Sequence, residues 1–65
     1  METFVFRASS NIERASYDED ARELTVKFTH GGSYTVPNVP PQKWRSFKSA
    51  PSAGAYFNAH FRSGR

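Results

Sequence analysis

At 65 residues the chain has room for one domain, and a domain of this size buries only about 60% of the surface its unfolded chain exposes. Ten aromatic residues stand against six Val, Ile and Leu, so rings must supply most of the core, and the absence of cysteine excludes disulfides and thiolate metal sites. Net charge is +3 and unevenly spread: Glu2, Glu13, Asp18, Glu19, Asp20 and Glu23 lie within the first 23 residues, which carry −3, whereas residues 24–65 hold six cations and no acid. Clustered positive charge steers anions, so the C-terminal two-thirds is expected to meet an anionic partner.

Met1 to Arg7 lacks the apolar run of a signal peptide, and no stretch approaches the ~20 apolar residues of a membrane span. This predicts a soluble, cytoplasmic protein without membrane contact. Phe4-Val5-Phe6 is expected to add an edge strand or to fold back as a cap. From Asn11 the pattern alternates as strands do, and Ile12 to Tyr17 reads as a strand closed by the charged turn Asp18 to Arg22. Leu24, Val26 and Phe28 then share one face, with Thr25, Lys27 and Thr29 on the other. His30-Gly31-Gly32-Ser33 supplies a tight turn, and Tyr34 with Val36 continues the inward face, giving a hairpin over about 23–36.

Pro37 cannot donate to a sheet ladder, whereas proline suits the first turn of a helix, so a helix is predicted to begin near Pro40. Trp44 and Phe47 form its buried stripe, with Pro40 and Pro51 in line. Ser52 is placed to cap a second helix, in which Ala53, Tyr56, Phe57, His60 and Phe61 follow the spacing of one apolar face and Gly64 marks the end. His60 is therefore expected to be partly buried. The fold class is α+β: a three- or four-stranded antiparallel meander followed by two short C-terminal helices packed on one face.

Candidate chemistry is sparse. Two histidines thirty residues apart, with the acids gathered elsewhere, do not form a metal site, and no serine shows a local pairing with a base and an orienting acid. No cofactor and no enzymatic activity are expected. Rings beside Lys and Arg are the ordinary means of holding single-stranded nucleic acid. On a helical projection Arg45 and Lys48 lie about 60° apart on one flank of the first helix and Lys43 on the other. In the second helix Asn58 and Arg62 share a face with Ala55 and Ala59. Gly54 costs about 1 kcal/mol against alanine within a helix, so something must need its missing side chain: a close backbone approach, an anion at the helix start, or packing under Trp44.

Ser9-Ser10-Asn11-Ile12, Tyr17-Asp18, Leu24 to Phe28, Gly32-Ser33-Tyr34, Val39-Pro40, the run Ala50 to Asn58 and Phe61-Arg62 together resemble the KTSC domain. That family takes its name from the C-terminus of some lysyl-tRNA synthetases and also occurs as small free-standing proteins of bacteria and phages. The resemblance covers about residues 8–62, with residues 1–7 as an edge strand or arm on a single domain spanning 1–65. Ser52-x-Gly54-x-Tyr56-Phe57-Asn58 is its most specific part. Where the family commonly has Tyr-x-Tyr, this chain has Tyr34-Thr35-Val36, which removes a stacking surface or merely fills less of the core.

The synthetase context implies RNA as the ligand. The expected function is a small non-enzymatic module that binds RNA or another phosphate-bearing ligand through Lys43, Arg45, Lys48, Arg62 and Arg65. In that reading Asn58 meets a base edge or backbone group and Tyr56 stacks. The alternative is a protein-interaction adaptor of phage or bacterial origin, monomeric or homodimeric, docking through exposed rings or an edge strand.

Overall fold

Alternation places Leu24 and Val26 on the same side of a strand, and both are fully buried. The computed structural model describes residues 1–7 and 9–61. Around that strand, β3 (Glu23–Phe28), are arranged β1 (Glu2–Val5), β2 (Ile12–Asp18) and β4 (Ser33–Val36), followed by the helices α1 (Pro41–Ser49) and α2 (Ala53–His60). The sheet order is β1-β2-β3-β4 and every pair is antiparallel, so the meander has four strands and the N-terminal segment forms one edge.

Register explains which residues face the helices. Tyr34 lies opposite Val26 and Val36 opposite Leu24, which continues the inner face onto β4. In β2 the pairing shifts between Ile12 and Arg14, leaving Glu13 as an extra residue. This bulge lets Ile12, Ala15 and Tyr17 all point inward although simple alternation from Ile12 would have buried Arg14 and Ser16. Gly31, at φ 109°, makes the β3–β4 turn possible, with its amide donating to the Phe28 carbonyl.

Pro41 opens α1, and its Trp44 and Phe47 are the buried side chains. Ser52 caps α2 by accepting a hydrogen bond from the Ala55 amide. The two helices cover one face of the sheet, and their rings interlock with it: Phe47 meets Phe6, Trp44, Tyr56 and Phe61 at centroid distances of 4.9 to 6.3 Å. Tyr17 stacks on Trp44 at 5.4 Å and donates its hydroxyl hydrogen to the Val39 carbonyl. That bond fastens the β4–α1 connection to the middle of the sheet.

The inward stripe of α2 is narrower than its sequence predicts. Ala53, Phe57 and Phe61, spaced by four, are buried, and Tyr56 is half-buried, whereas His60 is exposed. The expectation of a partly buried His60 is thereby corrected: its imidazole lies outside Tyr56, stacked on that ring at 4.2 Å. Pro51 is likewise exposed rather than in line with the buried stripe of α1. Gly64 lies outside the described residues.

Candidate functional site

The missing side chain of Gly54 makes room for Asn11. A Cβ at Gly54 would stand 3.2 Å from Asn11 Nδ2, tighter than ordinary van der Waals contact. Asn11 is held there by its backbone: its amide donates to Ser9 Oγ and its carbonyl accepts from the Thr29 amide at 2.9 Å. Packing under Trp44 is therefore not the reason for the glycine. It admits a polar side chain from the β1–β2 connection to the start of α2.

Two clefts meet at this point. The first, about 550 Å³, runs between the β3–β4 hairpin and α2, and is bordered by Asn11, Phe28, His30, Ser33, Tyr34, Gly54, Phe57 and Asn58. The second, about 780 Å³, lies between the β1–β2 connection and the α1–α2 turn, and is bordered by Arg7, Ser9, Ser10, Lys48 and Ser52 among others. Asn11, Gly54 and Asn58 line both, so the clefts form one groove with a waist of two amide side chains and a glycine.

The halves differ in chemistry. In the first, Tyr34 is 42% exposed, its ring edge-on to Phe57 at 5.6 Å, and the exposed His30 imidazole stacks on Phe28 at 5.5 Å with planes 3° apart. Rings and side-chain amides together suit a flat, hydrogen-bonding group. The second half sets the apolar Phe4, Val5, Phe6 and Pro51 beside the hydroxyls of Ser9, Ser10 and Ser52, the exposed Arg7 and the first turn of α2, and it is those last groups that suit negative charge. Ser52 already satisfies the Ala55 amide, so the hydroxyl and one donor of that turn are engaged with each other.

Residues 8–64 match the KTSC domain. The chain belongs to the KTSC domain family. A KTSC domain protein from Yersinia pestis, known from its crystal structure, is similar to it at 31% identity and a TM-score of 0.87, over 95% of this chain and 86% of that one. A protein of Tsukamurella paurometabola is 38% identical over 50 residues, which is 77% of this chain and 75% of its own length. Three of the segments that carry the KTSC resemblance, Ser9-Ser10-Asn11, Gly32-Ser33-Tyr34 and Ser52 to Asn58, come together around the groove, while Tyr17, Leu24, Val26, Val39 and Phe61 of the other segments are buried in the core. Val36, in place of the family's second tyrosine, is half-buried on the inner face and packs against the core. It fills core space and does not replace a ring on the surface.

The KTSC fold scatters the residues singled out from sequence. Asn58 is exposed at the waist of the groove, and Lys48 lines the far end of its second half. Lys48 is also committed elsewhere: its ammonium donates to Glu2 Oε2 at 2.7 Å and lies over the Trp44 ring, 5.1 Å from its centroid. Arg45 lines the same depression as Lys48, together with Glu2 and Glu19, so acids from the N-terminal third offset that flank of α1. Lys43 is exposed on the opposite flank, beside Tyr34, Asn38 and His60. Tyr56 is half-buried, with Phe47 tilted against its ring at 5.8 Å and the His60 imidazole stacked on it at 4.2 Å, so one face is already taken. Arg62 and Arg65 lie outside the described residues.

Sequence reasoning passed over Asn11, Arg7, His30 and Tyr34 as one site because Arg7 and Asn11 lie in the β1–β2 connection, and His30 and Tyr34 lie in the β3–β4 hairpin about twenty residues on. The only local signal was Gly54, whose cost within a helix pointed to a neighbour without identifying it.

Proposed function

We propose that this KTSC domain is a non-enzymatic module that binds single-stranded RNA along the groove. A base lies against Tyr34 and His30 with its edge toward the Asn11 and Asn58 amides, and the neighbouring phosphate lies in the second half near Arg7 and Lys48. The observation that carries this reading is the waist itself, where two amide side chains stand between a cleft bordered by Tyr34 and His30 and one that holds Arg7 and three serine hydroxyls. Rings give sequence-tolerant stacking and amides read base edges, while cations contact phosphate. Relative to the sequence expectation, the contact surface shifts from α1 and Tyr56 to the groove, and Asn58 and Lys48 are retained.

The protein-adaptor reading rests on the sheet edges. The exposed large apolar residues among those described are Met1, Val5 and Tyr34, which belong to opposite edges and give no single ring patch.

Titration of labelled single-stranded RNA at two salt concentrations tests the proposal. One or two phosphate contacts give a slope of about −0.7 to −1.4, so affinity should fall about 3- to 7-fold between about 50 mM and about 200 mM salt. Tyr34→Ala should weaken binding by about 5- to 150-fold, the equivalent of one lost stack of about 1–3 kcal/mol. Absence of binding at about 50 mM salt, or affinity indifferent to salt, would sink it.

A further inference from the structure

The sheet face turned away from the helices carries a second pattern, independent of the groove. Thr3, Ser16, Thr25 and Thr35 lie in register across β1, β2, β3 and β4, one hydroxyl from each strand. Thr3 Oγ1 meets Ser16 Oγ at 3.1 Å, and Thr25 Oγ1 meets Thr35 Oγ1 at 3.5 Å. On one side of this row Arg14 stands directly opposite Lys27, and on the other Asp18 stands directly opposite Glu23.

Each of these cross-strand pairs has like charge, an arrangement that destabilises a lone sheet. Local contacts relieve them only in part. Arg14 has Glu13 at 3.9 Å with both side chains about half exposed, and Asp18 Oδ1 accepts the amides of Asp20 and Ala21 within its own turn. Lys27 and Glu23 stand two residues on either side of Thr25, as Arg14 and Asp18 do of Ser16. Alternate residues of a strand are about 6.7 Å apart on one face, so the basic and acidic rows are equidistant from the hydroxyl row.

We infer that this face is a self-association surface for a second copy of the chain. A twofold axis along the hydroxyl row brings Arg14 of each copy over Asp18 of the other and Lys27 over Glu23 of the other, with hydroxyl meeting hydroxyl at the centre. The result is an isologous contact in which each like-charged pair acquires the opposite sign across a sheet-to-sheet gap of about 10 Å, within reach of long side chains. A face four short strands wide is below the standard interface size, so the dimer is weak and held together electrostatically. The helices and the groove remain open on the outside of both copies.

Sedimentation of the full chain tests this through a charge swap. Glu23→Lys places a cation opposite Asp18, and Lys27→Glu places an anion opposite Arg14, so each variant turns a repulsive cross-strand pair of the monomer into an attractive one and keeps the fold. The wild type should dimerise at about 0.01 M salt and dissociate at about 1 M, where the screening length falls from about 30 Å to about 3 Å. Each variant alone should lose the dimer at about 0.01 M salt. Their equimolar mixture should regain it, because the cation introduced by Glu23→Lys in one copy then meets the anion introduced by Lys27→Glu in the other. Thermal unfolding of each variant serves as the folding control, and Thr25→Lys, which sets two ammonium groups against each other on the axis, should also remain monomeric. A wild type that stays monomeric at low salt, variants that dimerise as the wild type does, or a mixture that fails to associate would each overturn the inference.

Discussion

Gly54 and Glu2 show how single residues tie packing to the groove. Gly54→Ala gains about 1 kcal/mol of helix propensity but presses on Asn11 Nδ2, the movable end of an exposed side chain. Because that amide can swing aside, unfolding stability should change by less than about 1 kcal/mol, whereas RNA affinity should drop as the waist loses its geometry. Urea denaturation and RNA titration on the same variant separate the two effects. Glu2 binds β1 to α1 with both oxygens, accepting from Trp44 Nε1 at 2.9 Å and from Lys48 Nζ at 2.7 Å. The Lys48 hydrogen bond, followed by that of Trp44, holds its carboxyl below the usual range. A lowered folded-state value means that its stabilisation is complete above the unfolded carboxylate value and is lost as pH falls through the folded one. Glu2→Gln should therefore flatten the acid limb of a melting-temperature profile.

Among the elements, the hairpin of β3 and β4 and the two helices were legible in sequence because alternation, glycine and proline act locally. The β2 bulge was not. Its register depends on pairing with β3, so the shift at Glu13 that keeps Arg14 and Ser16 out of the core has no local signature. His60 failed for a related reason: an eight-residue helix against a small sheet buries only the stripe Ala53, Phe57, Phe61, and the flank beyond Tyr56 has nothing above it. Phe47, fully buried among four rings, holds α1 to the rest. Phe47→Ala should cost about 3–5 kcal/mol, much of the roughly 3–10 kcal/mol expected of a domain this size, and leave a broad or absent thermal transition by circular dichroism. Tyr17→Phe leaves the Val39 carbonyl without its donor and should cost about 1–3 kcal/mol in urea denaturation. Burial raises the Tyr17 hydroxyl above the ordinary tyrosine value, so its contribution is intact below about pH 10 and is lost as pH rises toward the folded-state value. The same substitution should remove that alkaline loss.

For the molecule as a whole, the sequence separates acids from bases and the fold partly reunites them. Glu2 reaches Lys48 because β1 is an edge strand whose inner face meets α1, and Glu19 borders the same depression. The sequence-level expectation of a basic surface on α1 thus gives way to mixed charge, a consequence of topology that no run of residues displays. Of the candidate site, Asn58 was legible from its place on an exposed helical face. Asn11, His30 and Tyr34 were not, because only the folded sheet brings the β1–β2 connection and the β3–β4 hairpin beside the start of α2. RNA held in the proposed groove should be visible by backbone amide NMR of the full chain titrated with a short single-stranded RNA. Shifts concentrated at Arg7, Asn11, His30, Tyr34, Gly54 and Asn58 are predicted. Shifts confined to Lys43 and Arg45, or a spectrum unchanged at saturating RNA, would contradict it.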